Sequence, residues 1–343
     1  MAETIKSFFE FLMEKNKWVL SVLDLIKILC IPLLALCLGM DPVYGQHEAP
    51  RIYTEDIIRF WEAYDALEEA ASTEDSIRLI QTLYLDQASE GFRRFIKARE
   101  LTAEKYVQQI AHAPKFWESV REKTLDIKTY IPAIEEQYVQ FRSALKGFKN
   151  PPICFAIGVL STGGTVQKGW LLIGTEMVVA DSTVHKEELN SWLKAVLPDH
   201  AQVLEFTAHE LVHTQQRFGM GAMWGHLNHR LLSMSIHEGA ADFLTQKVTG
   251  ATINKSMYAY GYENEEALWK EFSQEMYGKD FSNWLYNGTG STDRPADLGY
   301  FMGYRICESY YENAKNKEKA LNKILKTNRY RRFLKKSGYM EKF

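Results

Sequence analysis

The stretch Thr207-Ala208-His209-Glu210-Leu211-Val212-His213-Thr214-Gln215-Gln216 carries the pattern H-E-x-x-H. At 3.6 residues per turn, His209 and His213 stand one turn apart on one helix face, so both imidazoles can reach a single ion. Glu210 follows the first His directly, in the position of a carboxylate that takes a proton from water polarised by a metal. The pattern has this meaning only on a helix, and the flanking residues predict one. Leu197-Pro198-Asp199 reads as a stop followed by an N-cap, no Gly or Pro interrupts the run from His200 to Phe218, and Gly219 closes it. Val203, Leu204, Thr207, Ala208, Leu211 and Val212 recur at helical spacing, which half-buries the helix bearing the His pair.

A catalytic zinc needs three protein ligands and an open fourth position. The metzincin extension, with Gly three residues after the second His and a further His three beyond, is absent, because Gln216 and Gly219 occupy those positions. The best third ligand is Glu238, in Ser235-Ile236-His237-Glu238-Gly239-Ala240-Ala241-Asp242. Asp242 lies one helical turn beyond it on the same face, suited to accept the free N–H of a ligand His and orient its ring. Gly239, Ala240 and Ala241 are small and predict a close approach of this helix to the H-E-x-x-H helix. His226, His229 and His237 are alternative ligands, but His237 points about 100° away from Glu238 on the helix.

His209-Glu210-x-x-His213 followed by Glu238-x-x-x-Asp242 resembles a gluzincin metallopeptidase site, in which the two His and the later Glu bind zinc. Ser161-Thr162-Gly163-Gly164-Thr165, Leu172-Ile173-Gly174-Thr175-Glu176-Met177 and Gly299-Tyr300-Phe301-Met302-Gly303-Tyr304-Arg305 are similar, in this order, to a predicted bacterial Zn-dependent protease family, to which the gliding-motility lipoprotein B group is similar. The similarity runs over roughly residues 50 to 343. It implies one Zn²⁺ per chain, a peptide or protein substrate, and an oxyanion-stabilising Tyr drawn from downstream of the zinc Glu. Tyr300 and Tyr304, one helical turn apart, are the candidates for that role.

Length and composition agree with a folded enzyme-sized chain. The 343 residues are 46% hydrophobic and 25% charged, with a net charge of −3 that gives no sign of nucleic-acid binding. Residues 1–45 read as a signal peptide or membrane anchor. An apolar run from Ile28 to Met40 follows Lys15, Lys17 and Lys27, and Val43-Tyr44-Gly45 is an acceptable cleavage site, so residues 18–40 offer one possible membrane contact. An exported, periplasmic or cell-envelope location follows from that reading. Beyond the leader, Cys154 and Cys307 are expected to be buried thiols rather than a disulfide.

Residues 46–150 read as an N-terminal helical layer. Ile52, Ile57, Phe60, Trp61 and Tyr64, then Ile77, Ile80, Leu83 and Tyr84, recur at helical spacing, with a break and cap at Ser72-Thr73-Glu74-Asp75. Its aromatic stripe is expected to be core. Residues 151–343 form the zincin-like hydrolase region. There, Ile153 to Leu160 and Gly169 to Gly174 are β-rich runs separated by a glycine-bearing turn and predict a hairpin. Gly163, Gly164 and Thr165 of that turn are candidates to bind an extended substrate through the backbone. The tail, residues 315–343, holds eleven Lys or Arg against Glu318 and Glu341. It predicts one helix packed by its apolar side, with an anionic membrane surface as a second possible partner.

The expected architecture is therefore a mostly helical α+β fold, with a zincin-like active-site helix, a small antiparallel sheet and an N-terminal helical layer. The expected function is zinc-dependent peptide hydrolysis with His209, His213 and Glu238 as ligands and Glu210 as general base. The alternative is a non-catalytic zinc-binding envelope protein with a structural or assembly role.

Overall fold

The computed structural model describes residues 49–216, 230–288 and 294–343. The expected leader, residues 1–45, and the histidines His226 and His229 lie outside them. Residues 49–343 form one compact unit. After β1 (Ile52–Tyr53) come α1 (Glu55–Ala66), α2 (Thr73–Ile80), α3 (Glu90–Arg99), α4 (Ala103–His112), α5 (Pro114–Leu125) and α6 (Ile131–Ala144). The sheet resumes with β2 (Ile153–Ala156), β3 (Gly164–Gln167) and β4 (Trp170–Gly174), followed by α7 (Thr175–Val178) and α8 (Ser191–Val196). Next are α9 (Val203–Gln215), α10 (Leu231–Thr249), α11 (Lys255–Glu263) and α12 (Glu265–Glu275). Then come α13 (Leu298–Asn313), α14 (Lys317–Leu325) and α15 (Tyr330–Ser337). The fold is mostly helical α+β, as expected from the sequence.

The sheet is mixed rather than antiparallel. Its strand order is β1-β2-β4-β3, with β1, β2 and β4 parallel and only β3–β4 antiparallel. Parallel neighbours need a crossover, and the whole helical layer α1–α6 is the connection between β1 and β2. Ile52, which the helical spacing assigns to a helix, is instead a strand residue paired with Ile153. The hairpin is also displaced. The runs Ile153–Ala156 and Trp170–Gly174 are parallel partners, and the true hairpin is β3–β4, turned by Lys168 and Gly169, both with positive φ. β3 is half-buried throughout and too polar to stand out from its surroundings in sequence.

The helical layer packs as its periodicity predicts. Phe60, Tyr84, Phe92, Tyr106 and Trp117 are fully buried in mutual contact, with Tyr84 stacked on Phe92 at 4.5 Å and edge-on to Phe60 at 5.4 Å. Ser72 caps α2 by accepting from Asp75 N–H. Two of these tyrosines reach out of the layer. Tyr84 and Tyr106 both donate to the carbonyl of Ile157, at 3.1 and 2.5 Å, and so grip the loop after β2. From the other side, the buried Glu176 carboxylate accepts from the N–H groups of Gly158 and Leu160. Between these two holds, Val159 and Leu160 adopt positive φ, a conformation that costs a residue with a Cβ and persists only where its surroundings impose it.

α9 begins at Val203, not at the predicted cap. Gln202 precedes it with no side-chain cap, while Asp199 pairs with Lys186 Nζ at 3.2 Å. The small residues of α10 also serve a different neighbour from the one expected. A Cβ on Gly239 would overlap Tyr304 N of α13, and one on Gly303 would overlap Ser235 O of α10. The two helices therefore cross backbone against backbone, because Gly239 lies one position round from the Glu238/Asp242 face that meets α9. Cys154 and Cys307 are free buried thiols, in line with the sequence. The basic tail is two helices, α14 and α15, broken at residues 326–329. Ala320, Ile324, Leu325, Phe333 and Leu334 enter the core, so the apolar side is covered by protein.

Candidate metal centre

α9 and α10 bring His209, His213 and Glu238 together. Within this group, His209 Nε2 and His213 Nε2 are 2.9 Å apart, and Glu238 Oε2 lies 3.1 Å from the latter and 3.5 Å from the former. One ligand atom from each of the three falls within 4.8 Å of the others. His237 contributes no atom to the cluster; its ring stacks on His213 at 4.8 Å.

The outer nitrogen of each ring decides the tautomer. His209 Nδ1 lies 2.6 Å from Asp242 Oδ1. A carboxylate only accepts, so Nδ1 is the donor. His213 Nδ1 lies 2.7 Å from Gln216 Oε1, and the Gln216 amide nitrogen donates to the carbonyl of His237 at 2.9 Å, which fixes the amide orientation. Both Nε2 atoms therefore direct their lone pairs at each other and at the Glu238 carboxylate. Three electron-rich atoms in a buried cleft at such spacing require a cation or a shared proton between them.

The donor set suits zinc. Tetrahedral geometry with bonds of about 2.0–2.1 Å puts neighbouring ligand atoms about 3.3 Å apart, close to both carboxylate distances and a few tenths wider than the His pair. The electrostatics point the same way. Burial alone lowers the affinity of His209 for a proton, but the charge and hydrogen bond of Asp242, with help from Glu238, hold its pKa well above the usual histidine value. Burial opposes the charge on Glu238, and the two His outweigh it, holding the carboxyl well below the usual range.

Glu210 lies against the start of β3. A Cβ on Gly164 would sit 2.9 Å from Glu210 Cγ and 3.1 Å from its Oε1, so the glycine is what gives the carboxylate room. Gly163 lies against the Phe206 ring, and its carbonyl accepts from Gly174 N–H at 3.2 Å. Thr165 pairs with Leu172, inside the hairpin rather than in a turn. Gly163, Gly164 and Thr165 thus run along the edge of the sheet beside the H-E-x-x-H helix.

The two tyrosines of α13 part company. The Tyr300 ring stacks on His209 at 6.2 Å, at the cluster. Tyr304 is buried, and its hydroxyl donates to Gln246, two helical turns along α10 from Glu238, among Phe243 and Tyr258.

Three residues that sequence reasoning did not reach complete the surroundings. Gln216 orients His213, as described. Tyr258 Oη donates to Asp242 Oδ2 at 2.6 Å, so the carboxylate behind His209 is held at both oxygens. Tyr286 Oη donates to Glu238 Oε1 at 2.9 Å from an exposed loop. Its backbone has positive φ, and its N–H donates to Asp297 Oδ1 at 2.6 Å. Gln216 alone carried a signal, lying three residues after the second His and so over the same helix face.

The family model described as gliding motility protein GldB matches residues 52–341. No curated protein and no solved structure matches the chain.

Proposed function

This chain belongs to the gliding motility protein GldB family, and we propose that within it the protein is a zinc-dependent metallopeptidase of gluzincin type. Family membership makes it an exported or cell-envelope protein. A periplasmic catalytic region, with or without an anchor in residues 18–40, is part of the proposal. The observation that carries the reading is the convergence of His209 Nε2, His213 Nε2 and Glu238 Oε2, with both Nδ1 atoms committed elsewhere.

Zinc held by these three residues would polarise a water molecule and the carbonyl of a bound amide. Glu210, given room by Gly164, takes the proton of the attacking water and returns it to the leaving amine. Asp242 and Gln216 keep the two imidazoles in the ligating tautomer. The open edge of β3 offers backbone groups to an extended peptide. Oxyanion stabilisation falls to Tyr286 and Tyr300, which lie at the cluster, rather than to Tyr304, whose hydroxyl is engaged with Gln246.

The family description names motility rather than hydrolysis, which keeps a structural or assembly role for the same metal as the rival reading. Elemental analysis of the purified full-length protein, with Glu238→Ala beside it, measures the metal. Hydrolysis of unfolded protein, with Glu210→Gln beside it, measures the chemistry. Near-stoichiometric zinc lost in Glu238→Ala, together with turnover lost in Glu210→Gln, supports the peptidase. Zinc without Glu210-dependent turnover favours the structural role, and a wild type that takes up no zinc ends both.

A further inference from the structure

Arg99, the last residue of α3, is a half-buried cation beside the candidate base that forms no ion pair among the described residues. Arg59, Arg94, Arg121 and Arg305 each meet a carboxylate oxygen at 2.6 to 2.9 Å. Arg99 meets no carboxylate within 4.0 Å among the described residues, and its Nη2 donates only to Thr162 Oγ1, at 2.9 Å. Its Nε is buried with no acceptor, and the neighbouring Ser161 Oγ is buried with no partner. Thr162 Oγ1 in turn donates to the carbonyl of Gly164 at 2.6 Å, and Gly164 is the residue against which Glu210 lies. Arg99, the start of β3 and the candidate base thus form one continuous chain of contacts.

The hydrogen bond to Thr162 does not itself call for a guanidinium, since a neutral donor satisfies that hydroxyl equally well. Partial burial of an unpaired cation is costly, and an anion bound beside it recovers that cost. Burial pulls Arg99 below the usual arginine pKa, and Glu210 is the one charge acting to raise it again. The planar fork of arginine matches the two oxygens of a carboxylate, a match that lysine or a neutral donor lacks.

We infer that Arg99, with the Ser161–Thr162 turn, forms a carboxylate-recognition subsite, so that the cleft prefers peptides carrying a carboxylate next to the amide presented to Glu210. The carboxylate comes from an acidic side chain or from a free C-terminus. As a statement about substrate choice, the inference rests on the hydrolase reading above.

The test uses full-length Glu210→Gln, which leaves the peptide intact, and the double variant Glu210→Gln/Arg99→Gln. Three peptides of one sequence are titrated calorimetrically at fixed salt. The first is neutral with an amidated end, the second has Glu in place of an internal Gln, and the third is neutral with a free C-terminus. One of the two carboxylate peptides should bind Glu210→Gln about ten- to a hundred-fold tighter than the neutral one, and Arg99→Gln should collapse that ratio to near one. Which of the two is preferred identifies the source. Equal binding of all three, no binding of any, or a ratio that survives Arg99→Gln overturns the inference. The last result would leave Arg99 as a mere loop tether. Zinc content measured on the same samples reports separately on the metal centre, so a zinc-free protein that keeps the preference sinks the metallopeptidase reading and spares the subsite.

Discussion

Replacing Asp242 with Asn probes the logic of the cluster through a residue that touches no ion. Its carboxylate, 8% exposed, accepts from His209 Nδ1 and from Tyr258 Oη, both at 2.6 Å. Asn retains one acceptor oxygen and places an NH₂ at the other position. With the oxygen toward His209, the Tyr258 hydroxyl can turn to accept from the NH₂, so the shape survives and only the charge is lost. A charge-assisted hydrogen bond contributes about 1.5–3 kcal/mol, roughly twice a neutral one, so about 1–1.5 kcal/mol should go, or about tenfold in zinc affinity. With the oxygen toward Tyr258, the NH₂ faces Nδ1 and forces the proton onto Nε2, which carries the loss toward a hundredfold. Asp242→Ala is harsher. It leaves two buried donors without an acceptor, at about 1–3 kcal/mol each, and should lower folding stability by about 2–6 kcal/mol. Competition against chelators of graded affinity measures zinc binding, and urea unfolding measures stability. If Asp242→Asn bound zinc within twofold of wild type at unchanged stability, the claim that Asp242 sets the tautomer of His209 would be refuted.

Glu176, fully buried, has its pKa raised by burial from 4.5 to about 7, against the pull of the Leu160 and Gly158 N–H groups. The folded chain therefore keeps a proton that the unfolded chain releases between these values. The resulting stability is complete below pH 4.5 and is lost as pH rises through about 7, at up to about 1.4 kcal/mol per unit; urea unfolding from pH 5 to 8 should show that slope in wild type and a flatter one in Glu176→Gln. Gly164→Ala should leave zinc content intact but slow turnover by at least about tenfold, because the new methyl displaces the Glu210 carboxylate; equal kcat would mean the carboxylate does not act from where it lies. Tyr286→Phe should retain zinc and lower kcat by a factor on the order of 10², whereas unchanged kcat would restrict Tyr286 to orienting Glu238. Gly303→Ala should cost about 3 kcal/mol or more in urea unfolding, since backbone rather than a movable side chain fills the space; a near-neutral result would contradict the helix crossing.

The part of the site that is periodic was legible in the sequence. His209, Glu210 and His213, then Glu238 and Asp242, are spaced by one helical turn, and helical spacing converts directly into a shared face. Tyr258, Tyr286 and Arg99 were not legible, because each is a single polar residue delivered from a separate element, and only the tertiary packing brings it to the cleft. Tyr300 and Tyr304 show the limit from the other side. The spacing predicted a shared role, yet the Tyr304 hydroxyl is engaged with Gln246, two turns along α10 from Glu238, while the Tyr300 ring stacks on His209. In the fold, the helical layer followed from its apolar stripes, and the mixed sheet did not. A two-residue β1 and a polar edge strand carry almost no pattern, and parallel pairing across a hundred-residue crossover leaves no local trace.

The crossing at Gly239 and Gly303 also divides the cleft mechanically. No side chain cushions α10 from α13 at that point, so the pair behaves as one stiff girder. It carries Glu238 and Asp242 on one member and Tyr300 on the other, and Asp297, at the head of α13, steadies Tyr286. The two histidines and Glu210 ride on α9, across the seam. A cation gripped by all three ligands would therefore rivet the girder to α9.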